Sequence, residues 1–208
     1  MSEEFLKFTN PKLQIYNEIL IVGSSNSLLN NYGEVIDSYK YICRFNRAPV
    51  QGYEIHVGSK TNLRVLNNHV FENIKVGSEY SSQPKKFVKQ LNNTNILRIG
   101  PGKFSKKFVL KFKLKNNKVF NFDYKEMEAL KKEVNFLSDK NMSVGAVMIS
   151  LCIVSNIKVN IIGFDIQQKQ ITHYWENRPK TMSSGHDFSI EKKWLKSLVD
   201  KKIIKLLN

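Results

Sequence analysis

The sequence predicts a single α/β domain with a mainly parallel sheet flanked by helices. Short apolar segments typical of buried strands alternate with helical periods along the chain. Two of these segments end in a glycine followed by polar residues, as strands do before a ligand-binding loop. A length of 208 residues favours one domain, which we place over residues 1–208. A chain of this size can bury a full core without disulfides or structural metals.

The first half of the chain contains four segments with the apolar, β-branched or aromatic composition of strands. They cover residues 18–23, 39–45, 62–66 and 95–99. The Ser/Asn cluster at 24–27 precedes Leu28-Leu29 and is typical of a helix N-cap. Residues 85–91 are predicted to be helical. The segment Lys103–Lys118 mixes lysines with apolar residues and predicts an edge hairpin with its lysines outward.

The second half is predicted to be mainly helical. Apolar residues recur with a helical period over 122–137, and Ser143 is a candidate N-cap for an apolar helix over 144–154. A strand is predicted at 158–163, followed by a polar loop over 165–185. Residues 190–207 predict one or two basic amphipathic helices, whose apolar face favours packing on the core.

Ligands of parallel α/β sheets bind at the carboxyl ends of the strands, where the strand order reverses. The segments 23–26 and 163–165 are therefore candidate ligand loops. Neither has the glycine pattern of a dinucleotide site, and Gly52–Thr61 has the wrong spacing for a phosphate-binding loop of nucleoside triphosphatases. No G-x-S-x-G elbow, Asp-x-Asp pair or metal-binding histidine pair occurs, so the sequence predicts a metal-free site and no hydrolase triad.

Two of the four histidines, His173 and His186, lie in polar segments only thirteen residues apart. An imidazole titrates near neutral pH, so it suits removal of a proton from a hydroxyl. It also suits hydrogen bonding to a departing phosphate. A structural role is the alternative for each ring, and the sequence pattern alone leaves both open.

The net charge of +15 favours an anionic partner. Only five of the 33 basic residues are arginine, and arginine makes the bidentate contacts of specific nucleic-acid recognition, so no specific nucleic acid is expected. Part of the lysine excess is also typical of an AT-rich genome. The basic segments 103–118 and 192–205 suggest peripheral association with an anionic membrane.

Two cysteines, no secretory signal and no apolar run of membrane-spanning length predict a cytoplasmic protein. Any membrane contact is expected to be peripheral, at the inner face.

Four groups of residues, in order, resemble the sialyl motifs of the animal-type sialyltransferase family. The large motif is matched by Ile21–Leu28, Gly33, Ile36–Asp37, Arg44–Pro49, Gly52–Glu54 and Val57–Thr61. The small motif is matched by Ser143–Gly145 and Ile161–Phe164, the third by His173–Glu176 and the very small motif by His186 with Glu191.

The resemblance implies a Rossmann-like glycosyltransferase domain that is inverting and needs no metal or other cofactor. Its donor would be a CMP-activated acidic ketose, and its acceptor a hydroxyl of a glycan or glycolipid. His186 is implied to deprotonate the acceptor, and His173 to contact the donor phosphate and help CMP leave. The residues implied to bind the nucleotide are Gly23, Ser24, Ser25, Asn46, Ser143, Val144, Gly145, Gly163 and Phe164.

The sequence departs from the family pattern at several motif positions. Ser24 replaces the usual Asn, His56 an Asp, Met142 a Pro and Val144 a Thr, which removes a hydroxyl contact to the donor. The family's disulfide would fall on Ile19 and Asn156, and Cys43 and Cys152 do not align with it. The missing bridge and the short chain suggest a bacterial or viral member without a membrane anchor.

Two alternatives stay open at this point. The donor could be CMP-sialic acid or CMP-Kdo, because the nucleotide motifs do not distinguish two cytidine-activated acidic ketoses. The substitutions at Ser24, Met142 and Val144 would also fit an inactive module that binds a nucleotide or nucleic acid. The presence of both histidines favours the enzyme.

Overall fold

The structure is a computed structural model that describes residues 17–72, 91, 93–102, 118–166, 173–176 and 186–207. All but Leu91 of the helix predicted over 85–91 lies outside the described residues. The same holds for the hairpin predicted over 103–118, apart from Lys118, and for most of the loop predicted over 165–185.

A seven-stranded sheet forms the centre of the fold, and every neighbouring pair of strands is parallel. The strands are β1 (Glu18–Val22), β2 (Ile42–Phe45), β3 (Leu63–Asn67), β4 (Asn95–Gly100), β5 (Val119–Asp123), β6 (Lys158–Ile162) and β7 (Ile204–Leu206). Their order across the sheet is β5-β4-β3-β2-β1-β6-β7. The prediction of an α/β domain with a parallel sheet is confirmed.

Six α-helices are described. They are α1 (Gly33–Asp37), α2 (Glu54–Val57), α3 (Asn68–Glu72), α4 (Met127–Glu133), α5 (Val144–Val154) and α6 (Phe188–Asp200), with short 3-10 helices at Asn26–Leu29 and Tyr124–Glu126. Both predicted caps are confirmed. The Ser25 hydroxyl accepts from the N–H of Ser27 at 3.0 Å, and the Ser143 hydroxyl accepts from the N–H of Ala146 at 3.2 Å.

The larger core lies between the sheet and helices α4, α5 and α6. Helix α5 has no polar face, and its residues from Gly145 to Cys152 are all buried, as expected of a helix enclosed on all sides. Helix α6 buries Trp194, Leu195 and Leu198, which confirms the predicted core packing of this amphipathic helix. The opposite face of the sheet packs a smaller cluster that includes Leu20, Ile42 and Tyr174.

Three predicted elements have wrong bounds. The strand predicted over 39–45 begins at Ile42. Of the helix predicted over 122–137, residues 122–123 belong to β5, which pairs with β4, and the helix covers only Met127–Glu133. The helix predicted over 190–207 ends at Asp200 and is followed by β7, because Lys202 takes a left-handed φ of 57° that a helix cannot continue through.

Cys43 on β2 and Cys152 on α5 are free thiols in the same core cluster. Burial raises the pKa of the Cys43 thiol well above its usual range and that of Cys152 to about 12. Both are therefore structural thiols. Within the described ranges, no helix is both long and apolar enough to cross a bilayer.

Candidate active site

The strand order reverses between β1 and β6. Strands β2 to β5 follow β1 on one side, while β6 and β7 lie on its other side. A cavity of about 470 Å³ opens at the carboxyl edge of the sheet beside this reversal, where ligands of open α/β sheets bind.

All eleven residues assigned from the sequence line this one cavity. They are Gly23, Ser24, Ser25, Asn46, Ser143, Val144, Gly145, Gly163, Phe164, His173 and His186. They come from the loops after β1, β2 and β6, the N-terminus of α5, the segment 173–176 and the residues before α6. Their roles in binding and catalysis stay predictions.

The base of the cavity depends on a close approach of two glycines. A Cβ on Gly23 would lie 2.2 Å from the carbonyl oxygen of Gly163. Two backbone hydrogen bonds hold the strand ends together, from Gly23 N–H to the Ile162 oxygen at 2.8 Å and from Ser25 N–H to the Gly163 oxygen at 3.1 Å. Only glycine fits at position 23.

Asn46 follows β2 with a positive φ of 42°, a conformation that asparagine tolerates better than most residues. Its N–H donates to the Val65 oxygen at 2.8 Å, and its Oδ1 accepts from the N–H of Asn67 at 3.0 Å. The Nδ2 amide is therefore the part of this side chain suited to donate to a ligand.

The loop that carries Asn46 is held from two sides. The fully buried Arg64 donates from Nη1 to the Ala48 oxygen at 2.9 Å, and the Tyr174 hydroxyl donates to the Pro49 oxygen. Burial lowers the pKa of Arg64 to about 10. Removing the Arg64 donor would leave the carbonyl of the buried Ala48 without this partner, which costs about 1–3 kcal/mol.

The N-terminus of α5 opens on the cavity at Ser143, Val144 and Gly145. The free N–H groups and the dipole of an eleven-residue helix favour an anion there. A carboxylate from α6 supports this helix start: Glu191 accepts from the Ser143 hydroxyl at 2.5 Å and from the Ser143 N–H at 3.2 Å. Desolvation raises the pKa of Glu191, and the bonds from Ser143 and the nearby His186 oppose that rise.

His186 is oriented by a backbone carbonyl. Its Nδ1 lies 2.9 Å from the carbonyl oxygen of Asn141. A carbonyl only accepts, so this bond requires the proton on Nδ1. The Nε2 of the neutral ring is then an acceptor, which is the state that a general base needs.

His173 has a different partner. Its Nδ1 lies 2.8 Å from the Ser24 hydroxyl, and its ring stacks on Trp175 with centroids 4.5 Å apart and planes at 11°. The backbone of this segment is bound to the loop after β1 through an antiparallel bridge to Ser25 and a bond from Tyr174 N–H to the Ser24 oxygen at 3.1 Å. The third motif is thereby fixed against the large motif.

Twelve further residues line the cavity. Four of them lie in segments that the sequence analysis named, although no role was assigned to them: Phe45, Met142, Asp165 and Glu191. No site role was expected for the other eight, which are Asn67, Asn68, His69, Ile99, Tyr124, Phe188, Lys192 and Leu195. Asn67 ends β3 and Asn68 begins α3, so the rule that sites lie at strand ends, applied to the third strand, could have found them. Arg98 contacts the Asn68 Oδ1 through Nε at 3.1 Å and Nη2 at 2.5 Å. Among the residues described, no cluster of His, Cys, Asp or Glu could hold a metal ion.

The parallel α/β sheet thus brings together, at its carboxyl edge, a helix start that favours an anion and two histidines. The chain belongs to glycosyltransferase family 29, the sialyltransferase family, whose model matches residues 3–203. The predicted family membership is confirmed.

The curated relatives match about a quarter of the sequence. Beta-galactoside alpha-2,6-sialyltransferase 2 of Homo sapiens and of Bos taurus are each 44% identical over 54 residues, which is 26% of this chain. The matched segment is only 10% of the human and 11% of the bovine protein. Beta-1,6-galactosyltransferase GALT29A of Arabidopsis thaliana is 39% identical over 56 residues, 26% of this chain and 14% of that protein.

Solved structures share the fold over nearly the whole chain. A mammalian sialyltransferase superposes with a TM-score of 0.66 at 18% identity, covering 98% of this chain and 76% of that one. The sialyltransferase CstII from Campylobacter jejuni, in complex with a substrate analogue, superposes with a TM-score of 0.50 at 16% identity, covering 92% and 79%. At these identities the likeness shows the fold alone.

Proposed function

We propose that this chain transfers an acidic ketose, sialic acid, from its CMP-activated donor to a hydroxyl of a glycan or glycolipid. One observation carries the proposal. Residues assigned from four separate motifs converge on a single cavity at the reversal point of the sheet. The chemistry of that cavity suits each half of the reaction.

The nucleotide half lies around the start of α5. The phosphate of CMP would accept from the free N–H groups of this helix, and the Asn46 Nδ2 would donate to the nucleotide. Gly145 leaves space for the nucleotide between the start of α5 and Phe164, since a Cβ on this residue would lie 3.2 Å from the Phe164 ring. That ring meets Phe45 edge to face at 6.3 Å and offers an apolar surface for the base.

The acceptor half would rest on His186. Its Nε2 takes the proton of the attacking hydroxyl, whose oxygen forms a bond to the anomeric carbon while the bond from that carbon to the phosphate oxygen breaks. Attack from the face opposite CMP inverts the anomeric centre. A base in this position contributes about 10²–10⁴ in rate. His173 and the helix start stabilise the charge on the departing phosphate, which is the task of a cation in metal-dependent transferases.

Thermal unfolding with and without nucleotides tests the site. CMP at about 100 times its dissociation constant adds about 2.7 kcal/mol, which raises Tm by roughly 5–10 °C in a chain of this size. AMP should give no shift. UDP is a further control because one relative is named a galactosyltransferase. A shift with UDP and none with CMP would overturn the proposed donor class.

Release of CMP from the two candidate donors then separates the alternatives. Turnover of CMP-sialic acid supports the proposal. Turnover of CMP-Kdo alone would mean that the donor sugar is Kdo and that the mechanism is the same. CMP binding without turnover of either donor would support the alternative of an inactive module that binds a nucleotide. A nucleic-acid module would also lose affinity steeply between 50 and 200 mM salt, whereas a pocket for one nucleotide would change little.

A cytoplasmic location and a peripheral contact with anionic membrane belong to the same proposal. The net charge of +15 is the observation behind the contact. Co-sedimentation with vesicles of anionic and of neutral lipid tests it. Binding that does not depend on anionic lipid would contradict it.

A further inference from the structure

We infer that Asn68, supported by the buried Arg98, is a specificity-determining residue that binds the carboxylate of the donor sugar. The inference rests on the proposed function, because it names the part of a CMP-linked acidic ketose that one wall of the cavity recognises. The carboxylate is common to sialic acid and Kdo, so the inference holds for either donor. Neither Asn68 nor Arg98 lies within the segments that resemble the family motifs.

Three asparagines line the cavity where β2 and β3 end, and each has its side-chain oxygen engaged by the protein. Asn46 Oδ1 accepts from Asn67 N–H at 3.0 Å, and Asn67 Oδ1 accepts from Val70 N–H at 2.7 Å. Asn68 Oδ1 accepts from Arg98 Nε at 3.1 Å and from its Nη2 at 2.5 Å. These partners can only donate, so the contacted atom is the oxygen in each case. Each amide nitrogen, which has no partner among the described residues, is left to donate to a ligand.

The side chain of Asn68 is held firmly in place. Two nitrogens of the Arg98 guanidinium contact the same Asn68 oxygen. The side chain also packs closely on Gly100 in β4, where an added Cβ would lie 2.8 Å from the Asn68 Cβ and 2.9 Å from its Oδ1. Rotation of the amide would break both bonds from Arg98. A donor fixed in this way loses little conformational freedom when a ligand binds.

Arg98 places a positive charge behind this wall of the cavity. The residue is only 4% exposed. Within the described part of the chain its guanidinium donates only to neutral oxygens, those of Asn68, Asn121, Pro101 and Gly102. The charge acts on the cavity lining, because it opposes the rise that burial causes in the pKa of Tyr124. A buried cation without a carboxylate partner stabilises an anion placed close to it.

A carboxylate is the group of the proposed donor that fits this wall. Its oxygens only accept hydrogen bonds, as amide donors with a cation behind them require, whereas a hydroxyl also needs an acceptor. In a CMP-linked acidic ketose, the carboxylate and the phosphate oxygen are attached to the same carbon. The contact between Asn46 and Asn67 places Asn68 next to the amide proposed to bind the nucleotide. Asn68 would therefore distinguish an acidic ketose from a neutral sugar.

Calorimetric titration with CMP and with CMP-sialic acid, in the absence of acceptor, tests the inference; CMP-Kdo takes the place of CMP-sialic acid if only that donor is turned over. Asn68→Asp keeps the oxygen that pairs with Arg98, so Tm should not fall, but it replaces the amide donor with a negatively charged oxygen. The Kd for CMP-sialic acid should rise about tenfold or more beyond any rise for CMP. Asn68→Ala should change the two constants in the same direction. Asn30→Asp makes the same charge change at an exposed residue outside the cavity and should keep both constants within about threefold.

Three results would overturn the inference while leaving the proposed function in place. Equal rises in Kd for CMP and CMP-sialic acid would show that Asn68 contacts the phosphate. An unchanged Kd for the donor in a folded Asn68→Asp would show that the residue is structural. A higher KM for the acceptor with an unchanged Kd for the donor would show that this wall binds the acceptor. In all three cases the wild type still binds CMP. A wild-type chain that does not bind CMP would overturn the proposed function, and this inference with it.

Discussion

Gly23→Ala places a methyl group where the ends of β1 and β6 come closest beneath the cavity. The new Cβ would lie 2.2 Å from the Gly163 oxygen, 2.8 Å from the Gly163 carbonyl carbon and 3.0 Å from the Phe164 ring. The nearest atoms belong to the backbone and cannot rotate away. Ordinary contact begins at 3.4 Å, so the two loops must separate by about 1.2 Å.

That separation has two costs. The hydrogen bond from Ser25 N–H to the Gly163 oxygen is now 3.1 Å long and would be lost, at about 0.5–1.5 kcal/mol. Overpacking of a closed contact adds about 1–3 kcal/mol. We expect a total of about 2–4 kcal/mol, which lowers Tm by roughly 4–16 °C in a chain of this length.

Scanning calorimetry of Gly23→Ala beside Gly145→Ala measures this effect. Gly145 lines the same cavity, but a Cβ there would meet only side-chain atoms, the nearest at 3.2 Å, and alanine is the better helix former by up to about 1 kcal/mol. The control should unfold within a few degrees of the wild type. A Tm for Gly23→Ala within about 2 °C of the control would refute the reasoning.

Three further predictions concern the nucleotide site and the carboxylate behind it. Gly145→Ala should weaken CMP binding about tenfold or more, because its methyl group narrows the space between the helix start and Phe164. Calorimetric titration measures this Kd, and a variant that binds CMP as the wild type does would contradict the prediction. Asn46→Asp keeps the oxygen that accepts from Asn67 N–H but replaces the Nδ2 donor with a negatively charged oxygen. The Kd for CMP should therefore rise about tenfold or more with little change in Tm. An unchanged Kd would count against this nucleotide site. The raised pKa of Glu191 means that its contribution to stability is fully present below its usual pKa of 4.5 and is lost as pH rises through the raised value. The Tm of the wild type minus that of Glu191→Gln should therefore fall between pH 4 and pH 7, and a constant difference would show that the carboxyl titrates normally.

The elements found correctly from the sequence are those with a local signal. Helix α5 has a serine cap followed by eleven apolar or small residues, and its bounds and cap were predicted as they occur. Strand β7 has no such signal, since Ile204 and Leu206 continue the apolar pattern of the preceding helix and become a strand only by pairing with β6. The end of β5 was predicted as helix for the same reason, because residues 122–123 become a strand only by pairing with β4.

The residues of the candidate site also differ in whether the local sequence gives a signal for them. Residues inside motifs could be assigned because each motif is a continuous stretch of sequence. Asn68 lies outside every motif and was not assigned, and only the rule that sites lie at strand ends could have pointed to it. Its contact with Arg98, thirty positions away, has no signal in the sequence. The bond between Ser24 and His173 joins two motifs, and no pattern within either of them predicts it.

The central claim is that His186 is the base of a transferase that uses a CMP-linked donor. The most direct measurement compares transfer from CMP-sialic acid and CMP binding in the wild type, His186→Ala and the control His56→Ala, whose side chain does not line the cavity. The account predicts that His186→Ala lowers kcat by about 10²–10⁴ with the Kd for CMP nearly unchanged, while His56→Ala keeps both. Transfer at the wild-type rate by His186→Ala, or loss of CMP binding together with transfer, would contradict it.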